Sequence, residues 1–271
     1  MRFSSVAAAA ALVAGLSGLA QADVGDVYMY DNRGTSEFFR ISLSDPTNRV
    51  FINNAQTYQT FAMDFDETAS TLYAQNVQTG QLGIIGLNDG AFSPIAPITG
   101  LVAADAITGI TIAPNGSAYL SSGTNLYSLN LGTGACTLIG GMTGATLVID
   151  IAADAAGRLY GHDIGLDALL SIDPTTGAAT VIGTHGLAAN FAQGMDFDWS
   201  TNTLYATIYT GGGTGQFVSW DTTTGAVTTI VDTGAAGWNM EMEMSVRSLV
   251  PAPGAAGVLA GMGLLALRRR R

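Results

Sequence analysis

From residue 26 to residue 247 apolar and polar residues alternate in short runs, and the runs end in clusters of Asp, Asn, Thr, Pro and Gly. Period two is the period of a half-covered strand, and the clusters supply turn dihedrals, so the pattern predicts short strands joined as hairpins. The pattern repeats. An apolar–Tyr pair recurs as Met29-Tyr30, Leu72-Tyr73, Ala118-Tyr119, Leu159-Tyr160 and Leu204-Tyr205, with Tyr spacings of 43, 46, 41 and 45. Each pair opens a strand. A second strand follows, as in Leu169–Ile172 and Phe217–Trp220, then a turn such as Asp173-Pro174-Thr175-Thr176-Gly177 or Asp221-Thr222-Thr223-Thr224-Gly225, then a third strand such as Ala179–Ile182 or Val227–Ile230. A fourth strand precedes the next Tyr pair: Met63–Asp66, Ile110–Ala113, Ile149–Ala152, Met195–Asp198 and Met240–Glu243.

Four strands per unit of about 45 residues is the signature of a propeller blade. The first unit lacks its leading strand, and the leading strand near Met240 has no unit after it. Joining the two completes a ring, so the expected fold is all-β: a five-bladed β-propeller closed by three N-terminal strands and one C-terminal strand. The repeats resemble the YVTN/PQQ-like and uncharacterised extracellular propeller repeats of bacteria, a likeness of architecture that implies no activity.

Composition narrows the partners. The 271 residues include 21 Asp and Glu, ten Arg and no Lys, for a formal charge of −11. All the acids and five of the Arg lie between Asp23 and Val250. Such a field repels nucleic acid phosphate and anionic headgroups and attracts cations. The lone cysteine, Cys136, excludes an internal disulfide and multi-cysteine metal centres; a buried strand position is expected for it.

The two ends read as addresses. Arg2, the apolar run Val6–Ala20 and the sequence Ala20-Gln21-Ala22 form a secretory signal with a cleavage site after Ala22. At the other end Pro251-Ala252-Pro253-Gly254 precedes an uncharged apolar stretch ending at Leu267, then Arg268-Arg269-Arg270-Arg271. As a helix, Gly254–Leu267 would span about 21 Å, short of the ~30 Å hydrocarbon core, while the terminal Arg would hold that end on the cytoplasmic side. The order Pro-x-Pro, apolar helix, Arg cluster resembles the PEP-CTERM sorting signal, with Ala252 where that signal has Glu. The resemblance implies transient membrane tethering and processing by an exosortase-like protease after signal peptidase has acted, with release to the medium or display at the cell surface. The division expected is 1–22 signal peptide, 23–247 propeller and 248–271 sorting tail.

Candidate chemistry concentrates on the leading strands. Aligning them places Asp64, Thr111, Asp150, Asp196 and Glu241 at one equivalent position. In propellers the leading strand is innermost, so these residues are expected to form an acidic ring about the axis. Converging carboxylates repel, which raises their pKa values or recruits a cation, and an all-oxygen set favours Ca²⁺ or Mg²⁺. Asp64, Asp150, Asp196 and Glu241 are therefore the candidate Ca²⁺ ligands; the plain alternative is a solvated channel with no fixed ion. His162 and His185 lack any accompanying hydrolase or zinc motif and read as structural. The repeated Tyr and Trp199, Trp220 and Trp238 are candidates for a carbohydrate surface but fit interblade packing better. Gly211–Gly215 lies between strands and reads as a hairpin tip. The functional expectation is an exported, noncatalytic binding or matrix protein with an extracellular ligand such as a polysaccharide. The alternative is a glycoside hydrolase using unequal channel carboxylates as acid and base or nucleophile.

Overall fold

The computed structural model describes residues 25–32, 37–53, 56–102, 106–191, 194–236, 238 and 241–248. Ala20, Ala22, Pro251, Pro253 and Arg268 to Arg271, and with them the signal and tail, lie outside the described residues. Among the described residues no helix is long and apolar enough to cross a membrane.

Among the described residues, twenty strands form five antiparallel four-stranded sheets. Blade 2 runs β4 (Met63–Asp66), β5 (Thr71–Asn76), β6 (Gln81–Ile85) and β7 (Phe92–Pro97). Blade 3 runs β8 (Ile107–Ile112), β9 (Ala118–Ser122), β10 (Asn125–Leu129) and β11 (Cys136–Gly141). Blade 4 runs β12 (Val148–Ala153), β13 (Leu159–Asp163), β14 (Ala168–Ile172) and β15 (Ala179–Thr184). Blade 5 runs β16 (Met195–Asp198), β17 (Thr203–Gly211), β18 (Thr214–Trp220) and β19 (Val227–Asp232). Blade 1 is composite: β20 (Met242–Arg247) pairs with β1 (Asp26–Asp31), which continues to β2 (Phe38–Ser42) and β3 (Asp45–Asn53). The inner strands β4, β8, β12, β16 and β20 touch in that order, and β20 touches β4 again, so the ring is closed. This is the five-bladed, three-plus-one propeller expected from the repeats.

The core is divided among the seams rather than pooled. Each of the five hydrophobic clusters joins one pair of neighbouring blades, as where Leu82 of blade 2 meets Ile110 and Leu120 of blade 3. Blades are therefore stable only against their neighbours, and closure removes what would otherwise be two bare faces. The anticipated turns form as Asp-capped loops: the Thr175 N–H donates to Asp173 Oδ1 at 2.8 Å, and the Thr223 N–H to Asp221 Oδ1 at 2.8 Å. Cys136 is buried, and burial pushes its thiol up to about 11.

The outer strands share a feature that strand-level alternation did not reveal. In every blade the pairing of the third and fourth strands slips by one residue, leaving Ile52, Ile95, Ile139, Ile182 or Ile230 as the extra residue. A bulge twists the edge strand and breaks the flat array of unpaired groups that a second sheet could copy.

The closing seam, between blades 5 and 1, is built differently from the rest. Trp238 is 2% exposed and packs edge-on against Phe39 with ring centres 6.0 Å apart. The Arg49 guanidinium lies 4.7 Å from the Phe51 ring centre, 5.2 Å from that of Phe39 and 5.8 Å from Trp238. Trp238→Ala is expected to cost about 3–5 kcal/mol and to lower the thermal midpoint by roughly 10 °C. A differential scanning calorimetry trace within 2 °C or so of the parent would show that the seam does not depend on it.

Candidate functional site

The inner strands run from one face of the disc, at Met63, Ile107, Val148, Met195 and Met242, to the other, at Asp66, Ile112, Ala153, Asp198 and Arg247. Because Asp26 pairs with Arg247, the chain enters and leaves the ring on the second face.

Two tiers of residues on these strands point toward the next blade. Register defines them: Asp64 pairs with Tyr73, Thr111 with Tyr119, Ala152 with Tyr160, Asp196 with Tyr205 and Ser245 with Tyr28. Two residues earlier in each blade lie Ala62, Gly109, Asp150, Gly194 and Glu243, with Ala62 and Gly194 just before their strands. Asp150 thus sits one tier away from Asp64 and Asp196. On β20 the ring positions are held by Glu243 and Ser245, where strand alignment had placed Glu241. Glu241 precedes the strand, is only partly buried, and its carbonyl accepts the Asn32 N–H at 3.0 Å. The reason is a degeneracy: β1 has Tyr at both 28 and 30, and the chain from Met240 to Met244 alternates Met and Glu, so a slip of two residues preserves the pattern.

Each polar tier residue bonds the backbone of the following blade. The Ile112 N–H donates to Asp64 Oδ2 at 2.7 Å, the Ala153 N–H to Thr111 Oγ1 at 2.9 Å, and the Met195 N–H to Asp150 Oδ2 at 2.6 Å. The Val246 N–H donates to Asp196 Oδ2 at 2.7 Å, the Phe65 N–H to Ser245 Oγ at 3.2 Å and the Met63 N–H to Glu243 Oε1 at 3.4 Å. The circuit passes through all five seams. Ser245 Oγ also lies 3.0 Å from Asp64 Oδ1 and 2.8 Å from Asp196 Oδ2, linking the two carboxyls. The approach is close enough that a Cβ on Gly194 would collide with the Met244 backbone nitrogen and one on Gly109 with Asp150 Oδ1.

The four carboxyls are at most 5% exposed. Burial raises Asp64 to about 6. Asp150, Asp196 and Glu243 are held well above the ordinary carboxylate range, by burial first and then by the charge of Glu243, Asp64 and Asp64 respectively. Nearby Glu67 is raised to about 8 by burial, although the Ser248 N–H donates to it at 2.5 Å. Among the described residues no three His, Cys, Asp or Glu are placed to hold a metal ion together. Asp64, Thr111, Asp150 and Asp196 lie on the inner strands with Glu243 and Ser245, Glu241 does not, and each of these six has an oxygen engaged by the backbone of the next blade.

The histidines come together at the seam of blades 4 and 5. His162 Nε2 is 3.3 Å from His185 Nε2, and Trp220 stands edge-to-face on His162 with centres 4.9 Å apart. The Leu187 N–H donates to His185 Nδ1 at 3.3 Å, so neutral His185 carries its proton on Nε2 and donates to His162. Burial, then the neighbouring His185, holds His162 well below its ordinary pKa. The pair is a neutral packing element. Trp199 donates its indole N–H to the Ala153 carbonyl at 2.8 Å across the same seam. With Trp220 and Trp238 buried, the tryptophans act as interblade packers. Gly211–Thr214 forms the tip of the β17–β18 hairpin.

Among the described residues, cavities open on both faces. On the first face, where the inner strands begin, a cavity of about 350 Å³ is lined by Phe61, Ala106, Ile107, Thr108, Leu147, Ile149, Ile164, Asn190 and Phe191. Phe191 is 59% exposed at φ 63°, a costly conformation for a bulky residue. Asp163 organises this rim: it accepts the N–H groups of Thr146, Leu147, Gly165 and Leu166 and the Thr146 hydroxyl. On the opposite face a cleft of about 620 Å³ is lined by Arg158, Tyr160, Ser171, Ile172, Asp173, Pro174, Thr180 and Ile182 of blade 4 and Thr222 of blade 5, among others. Neither cavity was visible in the sequence, because each is assembled from turns of different strands.

The class the fold defines is a five-bladed β-propeller whose inner strands are stitched together by buried carboxyls. No family model matches the chain, and no curated protein matches it. Among solved structures it is similar to a chain of a nidogen–laminin complex, at 12% identity and a TM-score of 0.54, covering 83% of this chain and 99% of that one. It also aligns with virginiamycin B lyase from Staphylococcus aureus, at 13% identity and a TM-score of 0.46, covering 75% and 65% of the two chains. TolB from Acinetobacter baumannii aligns at 13% identity and a TM-score of 0.47, covering 77% and 53%. At such identities the likeness is one of fold alone.

Proposed function

We propose that this protein is a noncatalytic binding module, exported by its N-terminal signal, tethered briefly by its C-terminal tail, and released or displayed outside the cell after processing. The observation that carries this reading is the use of the channel carboxyls. Hydrolysis of a glycoside needs two carboxyl groups open to the substrate, about 5–9.5 Å apart across the scissile bond. Here Asp64, Asp150, Asp196 and Glu243 are buried and bonded to the next blade. That leaves ligand capture to the surface cavities, where groups fixed by Asp163 on one face and by Asp154 on the other are pre-organised for it.

The test pairs binding with turnover. The purified protein, screened by calorimetry against a glycan panel, should retain a ligand unchanged after prolonged incubation; release of reducing ends would overturn the noncatalytic reading. Mass spectrometry of the extracellular form should find an N-terminus at Asp23 and a C-terminus near Pro251–Gly254. An extracellular protein still carrying Arg268–Arg271 would overturn the processing.

A further inference from the structure

Blades 2 to 5 contain a single basic residue. Between Arg49 and Arg247 the chain has no Lys and one Arg, Arg158, and it lines the 620 Å³ cleft. Its side chain is 64% exposed yet fixed: Asp154, fully buried, accepts from Nε at 2.6 Å and from Nη2 at 2.5 Å. The other Asp154 oxygen accepts the Ala156 and Arg158 N–H groups, each at 2.9 Å, so the anchor cannot turn away. A guanidinium has five N–H donors in a rigid fork; this one is gripped on one side and open on the other.

The rest of the cleft supplies complementary chemistry. Ser171, Thr180 and Thr222 bring hydroxyls, while Ile172, Ile182 and Pro174 bring apolar surface. Tyr160 completes one wall, with Thr222 of blade 5 beside it across the seam. Charge selects among ligands. Asp154 cancels Arg158, Asp173 adds a carboxylate at the rim, and the whole chain is at −11. An anion gains nothing there. An uncharged molecule with a hydroxylated rim and apolar C–H faces matches donors, acceptors and apolar patch together, and the volume lies within the ~300–1,000 Å³ typical of small-molecule sites.

We propose that the cleft between blades 4 and 5 binds a neutral saccharide, with Arg158 donating to its hydroxyls. This rests on the binding-module reading and names its ligand class and site.

The experiment is solution calorimetry with cellohexaose, laminarihexaose and maltohexaose, with hexagalacturonate and chitosan hexamer as charged arms. Two variants accompany the parent. Arg158→Gln removes the fork. Thr180→Trp, on the exposed outer strand, fills the cleft without touching Asp154 and should melt as the parent does. A neutral hexasaccharide should bind, and each variant should weaken it at least tenfold. Neutral-sugar binding that survives both variants would overturn the cleft and leave the binding module intact. Binding of only the charged oligomers, or of no sugar at all, would overturn the ligand class. Product release would instead overturn the binding-module reading on which the proposal stands.

Discussion

A chain ending at Ala236 is expected to lose the propeller altogether, not to shorten it by one strand. β20 pairs with β1 over six residues. It buries Met242, Met244 and Val246 to 1% exposure or less, beside Phe39 and Phe217. At about 1.5–3 kcal/mol for each large apolar side chain, those three alone approach the ~5–15 kcal/mol that separates a folded domain from its unfolded chain. The truncation also opens the hydrogen-bond circuit at two seams, since Glu243 and Ser245 serve blade 2 and Val246 serves Asp196. The measurement is a circular dichroism melt, expected to show no cooperative transition. Met244→Ala in the full chain separates closure from general fragility: it should fold and melt lower by roughly 10 °C, from a loss of ~2–5 kcal/mol. A truncated chain that melts as the parent does would mean that closure contributes nothing.

Above neutral pH the ring is expected to weaken steadily. Asp64 and Glu67 have folded pKa values raised to about 6 and about 8, and Asp150, Asp196 and Glu243 are also held well above the carboxylate range. A carboxyl whose pKa rises on folding stabilises most below its unfolded pKa. That stabilisation is lost as pH climbs to the folded value, at ~1.4 kcal/mol for each pH unit separating the two. His162 and His185 act oppositely: both are lowered by burial, so their contribution is complete above the ordinary imidazole value and is lost as pH falls below it. Between pH ~6.5 and ~8.5 the carboxyl trend is therefore unopposed, carried by Glu67 and the three more strongly raised carboxyls once Asp64 has given up its share near pH 6, and the thermal midpoint should drop by roughly 5 °C or more. Asp196→Asn keeps an acceptor for the Val246 N–H and should flatten the slope. Asp196→Ala orphans that N–H and should lower stability at every pH, by ~1–3 kcal/mol. A midpoint constant over this range would refute the picture of buried, proton-holding carboxyls.

The blade count and the composite blade were legible because they depend on period-two alternation and on turn residues, which are local. The tiers were legible only in part. Asp64, Thr111 and Asp196 could be aligned because the apolar–Tyr pair marks each of their partner strands and each faces that Tyr. Asp150 and β20 could not, since Ala152 interrupts the polar series and the Met–Glu alternation from Met240 is unchanged by a two-residue slip. The partners of the carboxyls were out of reach for a different reason. They are backbone N–H groups of other blades, and a backbone donor leaves no trace in residue type. The bulged isoleucines were present in every unit but were indistinguishable from ordinary strand residues until both strands of each pair were in register.

Entry at Asp26 and exit beyond Arg247 on one side give the disc a handle. Anything that grips the chain close to Asp26 or Arg247, whether a bead or a sensor chip, approaches the side bearing the 154–158 and 173–178 turns. The rim of Phe191 and Leu147 faces outward. Surface-immobilised formats that attach the protein close to Asp26 or Arg247 would therefore survey the rim and shade the Arg158 cleft. The two cavities are best compared with the molecule free in solution, or held from a residue on an outer strand.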